Sequence, residues 1–117
     1  MSYPLKEAEV SCTNIVHLLE NLAVFPKEKG EDIKTKVTKI LRNIVSSKKK
    51  IMMRSAKGVA LSENVKNSAL SLEITVKDLS RNQDSKVIER LSDQLNELEL
   101  NVSNVLTYWR SFEAVLT

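Results

Sequence analysis

Cys12, His17 and Glu20 are the side chains near one another in the sequence that could bind a metal or attack an electrophile. Cys12 is the only cysteine and His17 the only histidine. Five residues of α-helix turn the chain by about 140° beyond a full rotation, so these two cannot grip one ion. His17 and Glu20 lie one turn apart and do share a side. Two groups still fall short of the four donors that a structural zinc site takes. A di-iron bundle takes two Glu-x-x-His motifs, and the sequence has none. Cys12 falls on an apolar stripe, where a cysteine acts as a small hydrophobe, and no base is placed to activate it. None of the fifteen carboxylates falls on an expected core position, which predicts no buried acid–base pair. With two glycines, there is no phosphate-cradling loop. These residues predict a non-enzymatic chain with no catalytic residue, no metal, no cofactor and no small-molecule substrate.

Charge is distributed unevenly. Residues 27–57 hold eleven basic and three acidic side chains, a balance of +8, and the rest of the chain carries −5. Exposed pairs between this basic segment and acidic neighbours such as Glu7, Glu9, Glu20, Glu97 and Glu99 contribute roughly 0–1 kcal/mol each. They would nonetheless favour one arrangement of helices over its mirror image. The alternative use of the segment is to bind an anion. Lys48, Lys49, Lys50 and Arg54, interleaved with Ile51, Met52 and Met53, suit a nucleic-acid backbone or an acidic lipid surface. No aromatic residue stands among these lysines to stack on a base.

The elements that position these groups read as helices. Gly and Pro number two each, which suits long helices joined by a few turns. Leu5, Ala8, Cys12, Ile15, Leu19 and Leu22 alternate spacings of three and four, predicting a first helix from Pro4 to Val24. Phe25-Pro26 ends it, since the residue before proline is driven from the α region. A second helix is expected over Glu31 to Arg54, with Ile33, Val37, Ile40, Ile44 and Ile51 inside and Gly58 as its stop. A continuous helix through Gly58 would cost about 1 kcal/mol. A third is expected from a Ser62 cap to Ser80, with Val65, Ala69, Leu72, Val76 and Leu79 inside. The fourth carries the strongest pattern. From Ser85 onward, Ile88, Leu91, Leu95, Leu98, Val102, Val105, Trp109, Phe112 and Leu116 fill successive heptad core positions, as in coiled-coil packing.

Together these predict one domain over residues 1–117, an all-α antiparallel up-down four-helix bundle with a long C-terminal helix. Helix four, at about 48 Å, outruns helix one at about 32 Å. Either the middle helices are longer than drawn or helix four overhangs. With one cysteine, no disulfide within the chain is possible. With no secretory pattern at the N-terminus and no apolar run of about 18 residues, a cytoplasmic location is expected. The match of Asn101-Val102-Ser103 to a glycosylation acceptor is discounted on the same ground.

The expected activity is protein–protein interaction or assembly through apolar helix faces, with another protein or a second copy as partner. Leu70 and Ile74 lie one turn apart, opposite the third helix's stripe, and fit a dimer contact. Trp109 and Phe112, flanked by Tyr108, with Met52 and Met53 at the same end of the bundle, are the other expected contacts.

Overall fold

A computed structural model describes residues 4–20, 27–46, 56–79 and 85–116, and within them the side chains of 4–20, 31–45, 56–79, 86–108, 110 and 111. All four described segments are α-helical: α1 (Pro4–Glu20), α2 (Lys27–Ser46), α3 (Ala56–Leu79) and α4 (Ser85–Leu116). They pack on one another around a single core cluster.

The inward stripes follow from the spacing of apolar residues. Leu5, Ala8, Cys12, Ile15 and Leu19 of α1 are buried, as are Ile33, Val37, Ile40 and Ile44 of α2. Val65, Ala69, Leu72, Val76 and Leu79 fill the α3 seam, and Leu91, Leu95, Leu98, Val102 and Val105 that of α4. Among the described residues of these stripes, the first turn of α4 departs from expectation. Val87 is buried there and Ile88 is half-buried.

Side-chain pairings give the helix directions. Glu7 pairs with Lys66, and Asn14 with Glu73. Seven residues forward on α1 are thus seven forward on α3, and the two run parallel. Ser68 pairs with Asn101, and Thr75 with Gln94. Seven residues forward on α3 are seven back on α4, and these run antiparallel. Helix α2 lies broadly against α1, with Lys34 in its first half beside Glu20 at the end of α1. Helices α1 and α3 thus run one way and α4 the other, and sequential helices are not all neighbours. Helix α1 lies broadly against α3, whereas α2 meets α1 broadly and α4 along a thinner seam. Among the described residues, α2 and α3 have at most marginal contact, as do α1 and α4.

Helix α3 is therefore flanked on both sides, and its composition shows how. Beyond the apolar seam it buries Gly58, Ser62, Ser68, Glu73 and Thr75. Small side chains let neighbouring backbones approach. The hydroxyls are satisfied within the helix: Ser62 donates to Gly58 O at 2.7 Å, Ser68 to Asn64 O at 2.7 Å, and Thr75 to Ser71 O at 3.1 Å. A hydroxyl bonded to its own helix can be buried without leaving a donor unpaired. This corrects two expectations. Gly58 lies inside α3 and does not terminate α2, and Ser62 is an interior residue of α3 and not its cap. Although α4 remains the longest of the four helices, the earlier start of α3 also removes part of the length mismatch. Its first turns run beside the far end of α4, where Lys57 Nζ sits 5.6 Å from the centre of the Tyr108 ring. The longest dimension of the molecule, 49 Å, is close to the ~48 Å length of α4 alone.

Candidate functional site

The residues with reactive side chains do not assemble a reaction centre. His17 is exposed, and its Nδ1 lies 3.8 Å from Glu20 Oε2. Cys12 is fully buried, and burial, assisted by the negative charge of Glu73, pushes its thiol up to about 12. At neutral pH it is a protonated thiol, a poor nucleophile and a poor ligand. Among the described residues, no three His, Cys, Asp or Glu side chains gather where they could hold a metal ion.

Contrary to expectation, one carboxylate among the described residues is buried. Glu73 is 8% exposed, in the α1/α3 interface. Its Oε2 accepts from Asn14 Nδ2 at 3.2 Å and lies 3.3 Å from Lys77 Nζ. Two turns of α1 and two of α3 separate this node from another. There Lys66 Nζ lies 3.1 Å from Glu7 and 3.7 Å from Glu63, and the hydrogen bond to Glu7 leads the causes that raise its pKa. Glu7 was expected to face helix two, and it pairs with α3 instead. Glu20 does face helix two: its Oε1 is 3.0 Å from Lys34 Nζ.

Between the two nodes, α1 and α3 leave an open groove of about 350 Å³, lined by Lys6, Glu7, Val10, Ser11, Asn14, Lys66, Leu70 and Glu73. A smaller depression of about 240 Å³ extends it past Asn14 and Glu73 to His17, Leu18 and Lys77. Three large apolar side chains stand exposed on this side of the molecule: Val10 at 53%, Leu70 at 39% and Ile74 at 60%. Leu70 and Ile74 are where the sequence placed them, outside the α3 seam. Val10 was missed. It sits between Glu9 and Ser11 with no apolar residue one turn away on its own outer face, and its neighbour Leu70 comes from another helix.

The α3/α4 interface is polar along its outer edge. Asn101 Nδ2 donates to Ser68 Oγ at 3.0 Å and to Asn64 O at 3.3 Å. The amide of the glycosylation-like triplet is thus engaged in holding two helices together. Leu100 is 61% exposed on the far side of α4.

The other expected contacts are not gathered by the described structure. Trp109 and Phe112 lie within α4, with side chains outside the described residues, as are Met52 and Met53 altogether. Lys48, Lys49, Lys50 and Arg54 are outside them too. On α2, Lys34 pairs with Glu20, and Lys36 Nζ lies 3.9 Å from Asp32. Lys39 and Arg42 are exposed and, among the described residues, make no ion pair. No helix among the described residues is long and apolar enough to cross a membrane. Set against protein-family models, curated proteins and solved structures, the chain matches none of them.

Proposed function

We propose that the chain is a non-enzymatic helical assembly module that associates through the α1/α3 face, in the simplest case with a second copy of itself. The observation that carries this reading is the trio of Val10, Leu70 and Ile74, exposed beside an open groove whose walls are braced by the Glu7–Lys66 and Asn14–Glu73 contacts. Braced walls keep the apolar side chains in place before a partner arrives, which lowers the ordering cost of binding. A helix carrying apolar side chains at spacings of three and four would lie along such a groove.

Light scattering after size exclusion tests it, at low and high salt and over a range of concentrations. The expected species is a dimer that survives high salt, since apolar burial is nearly insensitive to screening. The double variant Leu70→Asp, Ile74→Asp should be a folded monomer. A chain that stays monomeric throughout, or a dimer that the double variant leaves intact, overturns assembly through this face.

A second reading has its own support. The exposed Lys39 and Arg42 of α2, in a segment of strong positive balance, favour contact with a polyanion through a different side of the bundle.

A further inference from the structure

From Ile33 to Ser62 the sequence holds nine cationic side chains and no carboxylate. Helix α2 supplies most of the described part of this run. Its buried residues form a narrow stripe, Ile33, Val37, Ile40 and Ile44. It leans on α1 and only thinly on α4, so among the described residues its outer side stays open. Lys34 and Lys36 are engaged with Glu20 and Asp32, which leaves Lys39 and Arg42 as the outward charges. They line a depression of about 470 Å³ together with Lys34, Thr35 and Thr38, and Glu31 marks its N-terminal limit.

The hydrogen bonds of this face decide what kind of anion it suits. Thr35 donates its hydroxyl to Glu31 O at 2.8 Å and Thr38 to Lys34 O at 2.7 Å. Neither is left to donate to a phosphate, so the face offers long flexible cations and no fixed cradle. Such a surface attracts a spread of negative charge more than it grips one phosphate group. Val45, 48% exposed, stands two turns beyond Thr38 on the same side. Cations beside an exposed apolar side chain match the headgroup and acyl boundary of a bilayer. A nucleic-acid strand would gain from aromatic platforms, and α2 contains no aromatic residue.

We propose that the outer face of α2 docks the intact bundle onto an anionic lipid bilayer, with Lys39 and Arg42 among the headgroups and Val45 at their apolar boundary. This rests on the second reading above, contact with a polyanion through α2, and names the polyanion.

Sedimentation with vesicles tests the assignment, comparing mixed phosphatidylserine and phosphatidylcholine with phosphatidylcholine alone. The chain should bind the mixed vesicles at low salt, lose them as salt rises, and ignore the neutral ones. A basic residue near an anionic leaflet contributes roughly a fivefold gain in partitioning, so Lys39→Gln with Arg42→Gln should weaken binding about thirtyfold. Urea unfolding of that variant should match the parent, since both side chains are exposed. The Leu70→Asp, Ile74→Asp variant, altered on another side, should bind vesicles as the parent does. Equal binding to neutral vesicles, or undiminished binding by the α2 variant, overturns the proposal. Duplex DNA and single-stranded RNA supply the remaining arms. If nucleic acid binds and vesicles do not, the polyanion reading stands and the bilayer is wrong. If neither binds, both are wrong.

Discussion

Leu72 and Leu70 stand two residues apart on α3, and truncating each to alanine should separate the core from the proposed contact surface. Leu72 is 0% exposed and Leu70 39%. Leu72 lies in the seam of a helix packed on both sides, so Leu72→Ala removes the transfer energy of the side chain and leaves a cavity that two flanking helices cannot close. Such sites lose about 3–4 kcal/mol. A chain of this length is stabilised by roughly 6–18 kcal/mol in total, so the variant should fold but with a much reduced margin. Leu70→Ala removes only about three-fifths of a buried leucine's burial and opens no cavity, because the groove beside it already admits solvent. Its cost should be about 1 kcal/mol. Ile74 is 60% exposed. Ile74→Ala should cost about 0.5 kcal/mol, since alanine's better helix propensity offsets part of the lost burial. Urea unfolding followed by circular dichroism reads all three, with the midpoint of Leu72→Ala lowered by about 2 M at unchanged slope. The reasoning fails if Leu70→Ala destabilises as much as Leu72→Ala, for that would put the inward face of α3 a quarter-turn or more from where the packing places it. The same measurement guards the assembly test, because a Leu70 variant that loses its partner while keeping its stability has lost a contact and not the fold.

Two further outcomes follow from the titrating groups. Cys12 should resist a thiol reagent such as DTNB in the native state at mildly alkaline pH and react at once in urea, since its thiol is pushed from an ordinary 9.0 up to about 12. Across that window the unfolded chain releases a proton that the folded one keeps, so stability should fall as pH rises from 9 towards 12, and a Cys12→Ala variant should lack that slope; native labelling at the rate of a free cysteine would show the site to be open. The Glu20 carboxyl is held below its ordinary 4.5, first by its hydrogen bond with Lys34 and then by the charge of Lys34. The stabilisation from this pair is complete above 4.5 and is lost as pH falls through the lowered folded value, so Glu20→Gln should flatten the acid limb of a stability–pH curve, and an unchanged limb would mean that the pair does not couple α1 to α2.

The helical elements were legible because their apolar residues recur at spacings only a helix brings to one side. The stripes of α1, α2 and α3 read from the sequence are buried through their described lengths, and α4 starts at Ser85, as its heptad pattern predicted. Boundaries that hung on one residue fared worse. Gly58 reads as a stop because glycine costs a helix about 1 kcal/mol. In α3 it is buried, with the Ser62 hydroxyl on its carbonyl, and tertiary packing outweighs its local preference. The buried carboxylate was illegible for a related reason. Glu73 lies off the seam of its own helix, and only the neighbouring α1 supplies the Asn14 amide and the coverage that bury it.

The order of neighbours was the hardest thing to read, although its trace is in the sequence. A helix with one broad neighbour needs only a narrow apolar stripe, and α2 has just that in Ile33, Val37, Ile40 and Ile44. A helix with a broad neighbour on each side needs a buried arc wider than apolar spacing alone draws. Helix α3 widens its arc with residues that look polar on paper: Ser68 and Thr75 towards α4, Glu73 towards α1. Counted as solvent-facing, they make α3 look like an ordinary amphipathic helix and leave the sequential ring as the natural expectation. Read as hydroxyls able to bond their own preceding turn, with Glu73 drawing on Asn14 and Lys77, they mark α3 as a helix covered towards both α1 and α4. Helix α2 meets α1 broadly and α4 only thinly, so among the described residues its basic outer side remains uncovered, and the groove between two parallel helices, α1 and α3, opens on a different side of the bundle. The two proposed contacts, one apolar and one cationic, lie on different helices and should respond independently to substitution.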